Sequence, residues 1–115
     1  MKYVEGEMDK RIFEMHAGIC TIFSNPKRLE IIDLLRDGEK SVNELSSLME
    51  IPQANLSQHL SLMRQRGILE TRRDGVNIYY SIANPKVIKA FEIMREVLLE
   101  QLSMHEKMFK KIKSA

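Results

Sequence analysis

A single thiol, Cys20, is the whole cysteine content of this 115-residue chain. One cysteine excludes an internal disulfide framework and a multi-thiolate zinc site within one chain. No apolar run approaches the roughly 18 residues needed to cross a bilayer, so no membrane span is expected. Residues 1–7 are acidic and lack an apolar h-region; no export signal is expected, and the cytoplasm is the expected compartment. A Gly-rich phosphate loop, a nucleophile motif and a plausible ligand triad are all missing, so no enzyme, cofactor or metal is expected. Net charge is low as well, at +2, but it is unevenly spread. Ahead of residue 53 there are 7 Lys/Arg against 10 Asp/Glu, and from residue 53 onward 11 against 6. A basic second half suits a polyanionic partner.

With 43% apolar and 30% charged residues the chain reads as one ordinary globular domain over 1–115. Met8, Ile12, Met15, Ile19 and Ile22 recur at helical spacing, which predicts a first helix over 7–23. Asn25-Pro26 opens a second helix, with Asn25 as cap and Pro26 where no amide donor is missed. Its apolar positions are Leu29, Ile32 and Leu35, flanked by Ile31 and Leu34, and Gly38 ends it. Ser41 and Glu44 have capping-box spacing and start a short third helix. After the break at Ile51-Pro52, a fourth helix is predicted over 53–66, turning Leu56, Leu60 and Met63 inward.

The period then changes from helix to strand. Residues 68–73 and 76–82 read as strands around Asp74-Gly75, a two-residue hairpin signal. A last helix is predicted from 84 to 113, with the stripe Val87, Phe91, Met94, Leu98, Leu102, His105, Phe109 and Ile112. At about 45 Å it is too long for so small a domain to cover, and dimerisation is the simplest way to bury its stripe. Met94, Met104 and Met108 read as adaptable packing. The expected fold is mainly α with a two-stranded β wing, in the order α-α-α-α-β-β-α. That is a winged helix-turn-helix, with the helix-turn-helix over 41–66 and the wing over 68–82.

In such a unit the second helix of the pair offers its N-terminal residues to the major groove of double-stranded DNA. Gln53, Asn55 and Gln58 carry amides that can pair with adenine N6 and N7, while Ser57, His59 and Arg64 suit backbone contacts. Arg66 is too near the helix end for more than a phosphate, and Arg72 and Arg73 flank the wing tip. Each feature also has a plain structural explanation. A polar helix face is commonly just solvated, hairpin arginines commonly protect an edge, and His59 can simply pack its ring against the wing.

The same residues resemble the ArsR-type (arsenical-resistance repressor) family of prokaryotic winged-helix regulators. The resemblance runs through Asn25-Pro26-Lys27-Arg28-Leu29-Glu30-Ile31-Ile32-Asp33-Leu34-Leu35 and Ser41-Val42-Asn43-Glu44-Leu45. It continues through Gln53-Ala54-Asn55-Leu56-Ser57-Gln58-His59-Leu60 and the wing from Gly67 to Tyr80, covering residues 20–82. It implies a homodimer built from the first and last helices, binding an imperfect palindrome and repressing its own operon. Metal sensing is common in that family, but its ligands are missing here. The third helix has no Cys-x-Cys pair, and the last helix has one histidine, His105, without the family's Asp/His pairing. Pro52 stands where a capping Ser is frequent, and Val76 where a basic wing residue is frequent.

Three residues are candidates for control by an effector. His16 and Cys20 share a face of the first helix, four residues apart, and together suit a soft metal ion or a redox change. The plainer expectation for Cys20 is burial in packing. His105 interrupts an apolar stripe and is either a pH-sensitive seam residue or an exposed side chain near a fraying end. A protein-interaction module with weak nonspecific DNA binding is the alternative reading of the whole chain.

Overall fold

Local capping sets the helical frame. In the computed structural model, which describes residues 9–113, Asn25 accepts from the amides of Lys27 (2.9 Å) and Arg28 (3.3 Å) and starts helix α2, Pro26–Leu35. Ser41 and Glu44 form the reciprocal box at 3.1 Å in both directions and start α3, Val42–Met49. Glu50 then takes a left-handed conformation (φ 55°), and the Ser46 hydroxyl donates to the Ile51 carbonyl at 2.7 Å. These fix the tight turn into α4, Gln53–Gln65. A residue other than glycine in that region costs about 1–2 kcal/mol, so the packing of α3 on α4 must hold Glu50 there.

The core lies among these three helices. Ile31, Ile32 and Leu35 of α2, Leu45 and Met49 of α3, and Leu56, Leu60 and Met63 of α4 are buried. Each fully buried side chain of this size contributes roughly 2 kcal/mol. Ile68, Leu69 and Phe91 close the cluster from the wing and the last helices.

The wing is an antiparallel hairpin of β2, Leu69–Asp74, and β3, Asn77–Ile82. The pairing of Asp74 with Asn77 makes Gly75-Val76 the two-residue turn, one position later than the Asp74-Gly75 turn expected from sequence. Gly75 carries the positive φ (63°), and Val76 does not share it. A β-branched residue is disfavoured there, so Asp74 stays extended and glycine takes the strained place. A two-residue strand β1, Lys40–Ser41, adds to the other edge of β3, giving the sheet order β1-β3-β2. This third strand had no signal in the sequence.

The terminal helices are built differently. Helix α1, Lys10–Cys20, buries none of its residues. It passes into a 3-10 turn at Thr21–Ser24, where the expected helix over 7–23 tightens and Ile22 enters the core. Arg28 closes that turn by donating to the carbonyls of Thr21 (2.9 Å) and Ile22 (3.2 Å). Gly18 admits the Arg66 guanidinium against α1, since a Cβ there would collide with it. Residues 7 and 8 of the expected first helix lie outside the described residues, as do the side chains of Met108 and Phe109.

Helix α5, Lys86–Met104, is anchored at its start. Phe91 is buried, Arg95 lies over its ring at 4.8 Å, and Glu92 accepts from Arg36 of α2 at 2.8 Å. The continuous helix expected to 113 is interrupted: His105 leaves helical geometry (φ −105°, ψ 54°) and α6, Glu106–Lys113, follows. The uninterrupted part is therefore nearer 28 Å than 45 Å. The radius of gyration is 17.2 Å, against about 13–14 Å for a compact chain of this length, which reflects the projecting ends.

Candidate nucleic-acid interface

Helix α4 divides by its period. Leu56, Leu60 and Met63 face the core, while Gln53, Asn55, Ser57 and Gln58 of its N-terminal half are exposed, Gln53 at the end of the core-facing stripe and the others off it. Pro52, at the N-cap, has no side chain to offer the first amides. Between this end of α4 and the wing lies a cleft of about 270 Å³, lined by Ser41, Asn43, Gln53, Ser57, Asn77 and Ile78. Gln53 and Ser57 are thus brought to the cleft with two groups that sequence reasoning did not single out, Asn43 and the wing residue Asn77. Gln53 donates through Nε2 to Oδ1 of Asn43. No local pattern reveals that bond, because its partners start two separate helices.

Further along α4, His59 is half-buried and Arg64 is exposed. Burial of the imidazole, followed by the charges of Arg28 and Lys27 on α2, holds the His59 pKa below its ordinary value. Lys27 and Arg28 therefore add positive potential to the flank of α4, a contribution that only tertiary packing reveals. Arg66 is directed to α1 through Gly18, as described above.

The two wing arginines, equivalent in sequence reasoning, part company in the sheet. Arg72 pairs across the strands with Tyr79, and Arg73 with Ile78. Successive strand residues point to opposite faces. Arg73 therefore shares the face of Ile78, which lines the cleft. Arg72 lies on the other face, where its guanidinium grips Glu39 (2.6 Å for the closest pair) and sits 4.7 Å from the Tyr79 ring centre. The same contact lowers the Glu39 pKa and raises that of Arg72. Val76 at the turn is 96% exposed.

The effector candidates are not assembled into a site. Cys20, expected to be buried in packing, is exposed within the single chain, and among the described residues α1 buries none of its own. His16 is exposed on the same helix, and His105 is exposed at the α5–α6 break rather than seated within a continuous stripe. Among the described residues no three His, Cys, Asp or Glu side chains are grouped to hold a metal ion, and no helix is long and apolar enough to cross a membrane.

Residues 25–71, from the cap of α2 into the wing, match the model of the bacterial regulatory protein arsR family. The transcriptional activator HlyU of Vibrio cholerae is 36% identical over 102 residues, covering 84% of this chain and 94% of that protein. The chain belongs to the arsR family of bacterial regulatory proteins. The biofilm growth-associated repressor of Agrobacterium fabrum is 37% identical over 87 residues, covering 76% of this chain and 74% of that one. Among solved structures, the homodimeric winged helix-turn-helix DNA-binding domain Mb0332 of Mycobacterium bovis superposes with a TM-score of 0.77 at 29% identity. It covers 89% of this chain and 96% of its own. As an arsR-family member the chain is a winged helix-turn-helix transcriptional regulator and not an enzyme. Nothing among the described residues favours a protein-interaction module over this reading.

Proposed function

We propose that the protein is a cytoplasmic, homodimeric repressor whose α4 helices enter adjacent major grooves of an imperfect palindrome. Gln53, Asn55 and Gln58 read base edges, while Ser57, His59, Arg64 and Arg73 hold the sugar–phosphate backbone. Arg72 holds the wing against Glu39, because its charge is already engaged there. The observation that carries the reading is the exposed polar N-terminal half of α4 beside the wing cleft, above a fully buried Leu56 and Leu60. Exposed Phe13 of α1 (59%) and Met94 and Leu98 of α5 support the dimer, since these apolar side chains have no cover among the described residues. Residues 1–115 act as one winged-helix domain, with the terminal helices setting the distance between the two readers.

Selection from random duplex DNA, followed by titration across salt, tests this. The expected outcome is an enriched palindrome whose half-sites lie about 34–36 Å apart or a multiple of that. Gln58→Ala should remove about 1–3 kcal/mol of discrimination at one base pair per half-site. A flat selection, or an unchanged preference in Gln58→Ala, would sink the sequence-specific reading.

A further inference from the structure

The link between Asn43 and Gln53 joins the first turn of α3 to the first turn of α4, at the wall of the cleft beside the wing. Both residues are exposed, so the bond is not there to satisfy a buried polar atom. Its effect is on the direction of the Gln53 amide. A carboxamide has two N–H groups and one oxygen. Donating one N–H to Asn43 leaves the other N–H and Oε1, the pair that a bidentate contact with adenine N7 and N6 requires. A long glutamine side chain otherwise loses rotamer freedom when it docks on a base. Asn43 restrains it beforehand, and in this arrangement its Oδ1 takes one N–H of the Gln53 amide.

We infer that Asn43 is a specificity-determining positioning residue: it fixes the Gln53 amide from the neighbouring helix so that Gln53 reads one base in one orientation. This rests on the reading of α4 given above. Asn43 sets what Gln53 accepts, without being required to touch the base. The neighbouring Ser41–Glu44 box and the Ser46–Ile51 bond hold the two helix starts in register, so the distance between the two amides is set by the backbone.

The test uses the full-length chain on its selected palindrome and on every single-base variant of one half-site, across salt. Wild type should prefer its base at the Gln53 position by about tenfold. Asn43→Ala should bring that preference to within about threefold and leave those at the Asn55 and Gln58 positions intact. Asn43→Asp keeps the acceptor for Gln53 and should keep the preference, while its added negative charge weakens all sequences alike. Asn43→Ala combined with Gln53→Ala should discriminate at that position no worse than Gln53→Ala alone. A uniform loss of affinity in Asn43→Ala, with the Gln53-position preference intact, would overturn the positioning role and make Asn43 a backbone contact. Identical profiles for wild type and Gln53→Ala would overturn base reading by Gln53 itself, and the positioning role with it.

Discussion

The middle of the chain and its two ends bury their apolar residues to very different degrees. Among the described residues, eleven of the twelve buried apolar side chains fall between Ile22 and Leu69, whereas α1 buries none and α5 buries Phe91. Yet α1 and α5 are not short of apolar residues: Phe13, Met15 and Ile19 on one, and Ile93, Met94, Leu98 and Leu99 on the other, stand exposed. The helix-turn-helix and wing close their own core, so the recognition surface is held by contacts within one chain. The ends present apolar faces that a second copy must cover in the proposed dimer. Reading is thus an intrachain property, and the spacing of two readers an interchain one.

The sharpest way to break this contrast is one substitution on each side of it. Leu60→Ala empties a fully buried site in the reader and should destabilise the fold by about 3 kcal/mol, seen in chemical denaturation at any protein concentration. Leu98→Glu charges an exposed α5 position and should yield a folded monomer by sedimentation. Its palindrome affinity should fall by about 100-fold because the second half-site is no longer tethered. A Leu98→Glu protein that stayed dimeric would remove α5 from the interface.

Within the reader, the two faces of the wing offer a smaller contrast. Arg73→Ala should lower affinity for all sequences and flatten the slope of log affinity against log salt by about 0.9 per lost phosphate contact. Arg72→Ala, which releases Glu39 rather than a phosphate, should leave that slope unchanged. Equal slopes for the two variants would mean that strand alternation does not divide their roles.

The smallest expected effect is a pair of opposed pH dependences at His59. Burial, then Arg28 and Lys27, favour its neutral form in the fold, so the native state binds fewer protons there than the unfolded chain. The stability contributed above the ordinary histidine pKa is therefore lost as pH falls through that value towards the lowered one in the fold. A DNA phosphate beside the ring favours the imidazolium instead, so DNA affinity should rise over the same interval. His59→Gln should flatten both curves; an unchanged pH profile of DNA binding in that variant would place His59 away from the backbone.

What could be read in advance was local. Asn25-Pro26 and the Ser41–Glu44 box satisfy amides within three residues of themselves, so their sequence spacing nearly determines the helix starts. The 3.6-residue period of Leu56, Leu60 and Met63 likewise named the buried face of α4, though not that Gln53, on the same stripe, stays exposed at the helix start. The break at His105 was less legible because neither proline nor glycine marks it. The turn register of the wing hung on a choice between Asp74-Gly75 and Gly75-Val76 that only the pairing of β2 with β3 makes.

The sequence by itself determined the order of elements, the core-facing side of the recognition helix and the poverty of thiol ligands, because each follows from short-range periodicity, capping or composition. The tertiary structure alone decided that Arg72 is held by Glu39, 33 positions away, while Arg73 lies on the opposite strand face with Ile78. It also decided that Gln53 is tied to Asn43 and that Cys20 stands exposed among the described residues. The physical reason is the same in each case. A side chain's partner is chosen by which backbones pack side by side, and residues far apart in sequence become neighbours only once the core between them has closed.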